Sequence, residues 1–439
     1  SGDAICVSLD PGDLIRVTID DSATVPAVTA AGVINDGEIH AGSTVLLTAK
    51  VLGSLFDNAI NNSGIVEAKQ IEIIGDGNVV LQTGSKITAT DIQNEASIFV
   101  ESTDGDVSIS GSEIRASIDA EDASEDPEAG NGNARIDILA GAYDSVITID
   151  GESKVIAEVQ YDGEAAVNIM AGDHYWYDNE CGNREESLYG GEISILSNSQ
   201  VKAMAGDYGY SWIDVKAGGF GGSIPNTITI NDSTVGSYVG GGCAEVWLRD
   251  GNFNWRENSS SDYYEEYESL TGGHVDLNRS FIEAKVQASE GDKSWAEVEI
   301  RAGTVTMNDT DITASVIGPG NTEVNIEGIE SYSYNNGWNY YEDWFDSWEY
   351  ENGYYGVIDI LNGSTILAAT NAGDAEVYLQ TGPWVDSGSG QTYINIAGSS
   401  VIADVNGLGH AGVYIGTDIA EIEWLDDIAE LDGYDIGDL

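Results

Sequence analysis

The sequence predicts an all-β chain wound as a single parallel β-helix (β-solenoid), with insertions aligned along one edge. Three observations carry this expectation. Glycine is abundant at 54 residues and proline scarce at six, and Ile and Val alternate with Asp, Ser and Thr over short runs, the period of half-buried strands between turns. A motif of the form Ala-x-Val-x-Ile-x-x-Gly recurs as "ARIDILAG" from Ala134, "AAVNIMAG" from Ala165, "SWIDVKAG" from Ser211, "AEVWLRDG" from Ala244, "AEVEIRAG" from Ala296 and "AEVYLQTG" from Ala375. Each copy is followed by a second motif of two short strands around a polar turn, as in "VITIDGESKVIAEV", "EISILSNSQVKAMA" and "TVTMNDTDITASV". Together the motifs form a unit of three strands and three turns, shortest from Ala296 to Asn321, which is one coil of a solenoid.

A lone three-strand coil cannot bury its inward Ile and Val. Coils stacked at about 4.8 Å make parallel sheets around a continuous apolar interior, and roughly a dozen of them give a rod about 60 Å long. The polar turns place Asn231, Asn278, Asn308 and Asn362 where a left-handed backbone position and a stacked ladder are expected. These positions also read as Asn-x-Ser/Thr sequons, but the turn accounts for their placement without any modifying enzyme.

Insertions fall directly after the first motif, and at equivalent points of a solenoid they must line up. The sequences are "DHYWYDNECGNREESLYG", "NFNWRENSSSDYYEEYESLTG", "PWVDSGSGQ" and, the largest, "ESYSYNNGWNYYEDWFDSWEYENGYY" from Glu330 to Tyr355. The last holds eleven aromatic and six acidic residues and no Lys or Arg. That much ring surface is expected to pack on something. The row comprises Tyr175, Trp176, Tyr177, Phe253, Trp255, Tyr263, Tyr264, Trp338, Tyr340, Tyr341, Trp344, Phe345, Trp348 and Trp384. Three uses fit it: contact between subunits, where Tyr and Trp are enriched; stacking on neutral sugars; or a local core of the insertions themselves. Eleven rings in one insertion exceed what a sugar platform uses, which favours subunit contact.

Sixteen basic and 76 acidic residues give a formal charge of −60. Nucleic acid and anionic membrane surfaces both need a positive face, so neither is an expected partner. Copies of the chain would meet only with cations, high ionic strength or strong apolar contacts. Hard cations take oxygen ligands, so calcium is the ion to expect, with Asp178, Glu180, Asp262, Glu265, Glu266, Asp343, Asp346 and Glu349 as candidate ligands and a solvated acidic face as the plainer reading. Of three cysteines, Cys181 and Cys243 could form one bridge beside an odd thiol at Cys6; three free thiols fit equally well. No apolar run approaches the roughly 18 residues of a membrane span.

Residues 12 to 75 include "GVINDGEIHAGSTVLLTAK" from Gly32 and "LFDNAINNSGIVEA" from Leu55, with an Asn-Asn-Ser-Gly turn at Asn61 to Gly64. This region resembles the haemagglutination-activity region of filamentous haemagglutinin-like exoproteins secreted by the two-partner route. The resemblance implies a right-handed β-helix, export to the cell surface or beyond, and work as an adhesin or surface fibre. The chain then divides into haemagglutinin-like coils over 1–92, solenoid repeats with insertions over 93–418, and an acidic C-terminal cap or tail over 419–439. Within the last part, Ile422, Leu425, Ile428 and Leu431 recur at steps of three, as in a short amphipathic cap. At the other end no cap precedes Ala4 to Leu9, so that stretch is expected to pair with a neighbouring subunit and build a head-to-tail filament.

Solenoids also serve as polysaccharide lyases and hydrolases, whose sites need a carboxylate cluster with a base or metal in a cleft. No carboxylate pair stands out here, and His40, His174, His274 and His410 lie in unrelated settings. Nor is there a nucleophile elbow, phosphate loop or zinc spacing. The expectation is a non-enzyme, without catalytic residues, that assembles with copies of itself outside the cell; a monomeric carbohydrate-binding adhesin is the alternative and a polysaccharide-degrading enzyme a distant third.

Overall fold

The computed structural model describes residues 5–9, 15–19, 31–49, 58–92, 94–119, 132–178, 183–207, 209–218, 227–260, 263–287, 294–328, 331–341, 344–354, 356–381 and 393–416. All regular structure in them is β-strand, and the chain is a parallel β-solenoid. Each coil passes through three sheets, called B, C and A in the order the chain meets them. One coil is Ser145–Asp150, Lys154–Val159 and Gly163–Ala171, and the next is Gly191–Leu196, Gln200–Ala205 and Gly209–Ala217. The recurrent Ala-x-Val-x-Ile motif is the sheet A strand, and the paired motif supplies B and C around the polar turn. Sheet B has eleven strands, which at about 4.8 Å per step makes a rod about 50 Å long.

Alternation decides which side chains go inside. In register, Ile147 stacks on Ile193, Val155 on Val201 and Val167 on Ile213, and all six are buried. Burying each such side chain is worth about 1.5–3 kcal/mol, and because like stacks on like, every coil depends on its neighbours for its share. The sheets run unbroken through residue 92: Gln70–Gly75 pairs in sheet A with Glu95–Ser102. Strand Asp311–Gly328 runs from sheet C into sheet A without a break, slipping register between Val316 and Pro319.

The corner between sheets B and C carries a column of buried hydroxyls: Ser112, Ser153, Ser199, Ser233, Ser280, Thr310 and Ser364. Ser280 shows how it works. Its Oγ donates within its corner to the Asn278 carbonyl (2.9 Å) and accepts the Ser233 N–H of the preceding coil (3.3 Å). Outside it stands the Asn ladder: Asn362 Nδ2 donates to Asn308 Oδ1 (2.6 Å), Asn308 Nδ2 to Asn278 Oδ1 (2.9 Å), and Arg279 Nη2 to Asn231 Oδ1 (3.0 Å).

One expectation is corrected here. Asn362 is left-handed at φ 54°, but in the other three corners the left-handed residue is the next one, Asp232, Arg279 and Asp309 (φ 51°, 48° and 51°). Asn231, Asn278 and Asn308 instead close the sheet B strand, and their amides point along the stack. At the N-terminus, Ile5–Leu9 folds back antiparallel on Ile15–Ile19, which pairs parallel with Thr44–Ala49; among the described residues its other edge is paired with no strand. The expected cap at 419–439 lies outside the described residues.

Replacing Ser280 by Ala leaves the buried Ser233 N–H without its acceptor, so urea unfolding should show a loss of about 1–3 kcal/mol. Ser108→Ala, on the outer face of sheet B, should stay within about 0.5 kcal/mol. Equal effects would deny the hydroxyl column a structural role.

Candidate functional site: a hairpin sheet and a carboxylate column

Three of the four insertions are β-hairpins, a more ordered arrangement than the loops expected from sequence, and the fourth, "PWVDSGSGQ", lies outside the described residues. Asp173–Asp178 pairs with Asn183–Tyr189, Asn252–Ser260 with Tyr263–Thr271, and Ser331–Tyr341 with Trp344–Tyr354. Neighbouring hairpins pair with each other as well, giving one six-stranded antiparallel sheet. The reason is a match of two spacings. The hairpins leave sheet A after Ala171, Asp250 and Gly328, and between these exits lie the hairpin-free strands Gly209–Ala217 and Ser294–Ala302. One hairpin therefore arises every second coil, a rise of about 9.6 Å, which is the width of two hydrogen-bonded strands.

Register sorts the sequence-predicted residues. Trp176 and Trp255 fall in one cross-strand row with Glu186, Glu268, Tyr334 and Glu351. Phe253 is in the row of Leu188, Leu270 and Tyr332, and Leu188 is only 1% exposed. Tyr264 stands opposite Trp338, Tyr340 opposite Phe345, and Tyr341 opposite Trp344. Tyr175 and Tyr177 pair with Ser187 and Glu185, Tyr263 with Asn339, and Trp348 with Gly337.

Of the acidic candidates, Asp178, Glu266 and Glu349 share one row, together with Arg184, Glu257 and Asn336. Glu265 and Asp346 belong to other rows. Glu180, Cys181, Asp262, Asp343 and Trp384 lie outside the described residues. Cys243, the proposed partner of Cys181, is a free thiol; it sits in sheet A between Tyr210 and Trp295.

Asp250 marks the root of the central hairpin. It occupies the register position that Ala140, Ala171 and Ala217 hold in preceding coils, and it is fully buried. Its Oδ2 accepts the N–H of His274, where the chain returns from the hairpin, at 2.8 Å, while Oδ1 has no hydrogen-bond partner. Burial pushes its carboxyl up to about 8, against the pull of neighbouring main-chain N–H groups.

A second feature was not recognised in the sequence. The outer face of sheet A stacks Glu245, Glu297, Glu323 and Glu376 in one register column. Aromatic donors hold three of the four rungs: the Tyr210 hydroxyl donates to Glu245, Trp295 Nε1 to Glu297 at 3.0 Å, and the Tyr378 hydroxyl to Glu376 at 2.9 Å. Desolvation first, then the like charges of Glu297 and Glu376 on either side, raises Glu323 to about 7; desolvation first, then Glu299 on the same strand, raises Glu297 to about 6. Two residues along the strand, Glu299 is 6% exposed, yet Arg301 and Arg249 keep it ionised below its ordinary range despite the burial. The Arg249 guanidinium also lies 5.2 Å from the Trp247 ring centroid. The available signal was the second position of "AEVWLRDG", "AEVEIRAG", "TEVNIEG" and "AEVYLQTG", where Glu repeats from coil to coil.

No family model matches the chain, and it matches no curated protein and no solved structure.

Folding raises Glu297, Glu323 and Asp250 above their unfolded values, so their protonated forms favour the folded state. For Glu323 this stability is complete below the unfolded value of 4.5 and is lost as pH rises to about 7. Thermal melts should therefore show Tm falling from about pH 5 to about pH 7.5, and Glu323→Gln should flatten part of that fall. A parallel pH profile in the variant would remove the column as its source.

Proposed function

We propose that this chain is a structural β-solenoid of the cell surface or extracellular space, which assembles with copies of itself through the end of its rod and through the hairpin sheet. The last described coil carries the reading. Val413 and Ile415 occupy the inward positions of Val377 and Leu379 one coil earlier; they are 42% and 53% exposed, where their predecessors are at 0%. Ile394 and Ile396 likewise stand over the buried Ile358 and Ile360. Among the described residues the coil presents an apolar face and three strand edges, which is what a stacked neighbour covers. The resemblance of residues 12–75 to filamentous haemagglutinin-like exoproteins supports the same setting. Among the described residues Ile5–Leu9 is paired on one side only, so in this reading its outer edge is the end that the C-terminal coil of a neighbour meets. The −60 charge makes counter-ions a requirement of close approach, and calcium is the proposed ion.

A second reading, carbohydrate binding, is favoured by the shared row of Trp176 and Trp255, since ring platforms stack on sugars.

Electron microscopy of the full chain in calcium, and after chelation at matched ionic strength, tests assembly. Ordered polymers are expected, with Ile415→Arg shortening them to units that no longer join at the coil end. Isolated rods about 50 Å long in every condition would overturn the proposal, and binding to a glycan array would then favour the second reading.

A further inference from the structure

Corners between sheets B and C differ in length from coil to coil. Three in succession span residues 82–85 between Leu81 and Lys86, 111–112 between Ser110 and Glu113, and 151–153 between Asp150 and Lys154. A short corner between two longer ones leaves a notch, with Gly111 as its floor. Gly111 is left-handed at φ 55°, the position that Asp232, Arg279 and Asp309 take in later two-residue corners, and it brings no side chain to fill the space. Thr83 and Gly84 form one wall and Gly151 and Glu152 the other, around a volume of about 450 Å³. Small-ligand sites have volumes of this order.

The sheet C strands start beside the notch with Lys86, Glu113 and Lys154, stacked in register. In a chain of 76 acidic and 16 basic residues a cation has carboxylates on every side, yet both lysines are exposed and neither forms an ion pair. Among the described basic side chains only Lys202, one coil further on, shares that condition. Glu113 does not neutralise its two neighbours, because its carboxylate is turned to Arg115 at 3.3 Å.

Complementarity selects the ligand. Two free ammonium groups start from strands about 9.6 Å apart, with one carboxylate between them and Glu152 on the wall. An occupant must bring acid groups at about that interval and hydroxyl donors in between, which a glycan with one uronic acid per disaccharide does. A chain with an acid on every residue, whether of sugars or amino acids, sets charge against Glu113. A neutral glycan leaves both ammonium groups unmatched.

We propose that the notch at Gly111 binds an alternating acidic glycan along the rod axis, with Lys86 and Lys154 each holding one uronate and Glu113 accepting hydroxyls of the sugar between them. The −60 charge does not forbid this. In about 0.15 M salt, exposed charges more than about 8 Å away are largely screened, whereas the two ammonium groups touch the ligand.

Titration calorimetry of the full chain in that salt tests the site, with hexasaccharides of hyaluronan (one uronate per disaccharide), galacturonan (one per residue) and chitin (none), and with hexaglutamate. Binding of the hyaluronan fragment alone is expected. Lys86→Gln and Lys154→Gln should each weaken it roughly tenfold, while Lys285→Gln, at a lysine paired with Glu283, should leave it unchanged. Glu113→Gln should raise the affinity for galacturonan more than that for hyaluronan. Ile415→Arg should have no effect, which separates this site from end-to-end assembly. Failure of hyaluronan to bind, or binding indifferent to both lysines, would overturn the inference. So would equally tight binding of hexaglutamate, which would make the notch a seat for an acidic peptide.

Discussion

One spacing governs this molecule: the step of about 4.8 Å between hydrogen-bonded strands. Because every coil advances by that step, a residue recurring once per coil meets itself. The consequence depends on what recurs. Ile on Ile fills the core, Ser on Ser carries main-chain hydrogen bonds across the B–C corner, Asn on Asn builds the outer ladder, and Glu on Glu stacks charge on charge. The same step fixes where insertions exit and so decides whether neighbouring hairpins can hydrogen-bond. Local sequence sets each element, and stacking sets what each element is worth.

The repeat period was legible because a coil writes its inward residues into every copy of the motif. "AEVEIRAG" announces a sheet A strand wherever it occurs, and the following polar turn announces a corner. Less legible was anything that depends on atoms between coils. The left-handed residue lies one place beyond the expected Asn in three corners, because there the Asn is the last residue of the sheet B strand, a place that Leu361 fills in the fourth. The insertions were read as loops because each, taken alone, lacks a strong hairpin turn signal; their order comes from the alternation of coils beneath them. The glutamate column escaped notice for a different reason. Among 76 acidic residues composition gives no contrast, and only register shows that Glu245, Glu297, Glu323 and Glu376 share one line.

The electrostatics follow the same geometry. The consequences of the chain's acidity concentrate where stacking brings carboxylates together without an intervening cation. Glu299, flanked by Arg249 and Arg301, keeps its charge in a buried place, whereas Glu323, one coil away and without a basic neighbour in its column, holds its proton near neutrality. The more deeply buried of the two glutamates thus keeps its charge, because Arg301 on its own strand and Arg249 one coil away offset the burial. Tyr210, Trp295 and Tyr378 moderate the remaining rungs by donating hydrogen bonds.

The alternation of hairpin-bearing and bare coils also imposes a parity rule on how such a chain can grow or shrink. Inserting a single coil between two hairpins would move them one strand width apart and open a slot that neither could close. Adding two coils with their hairpin would leave the antiparallel sheet seamless. Duplication in pairs is therefore silent to the hairpin sheet, and duplication of one coil is not, although the core would accept either.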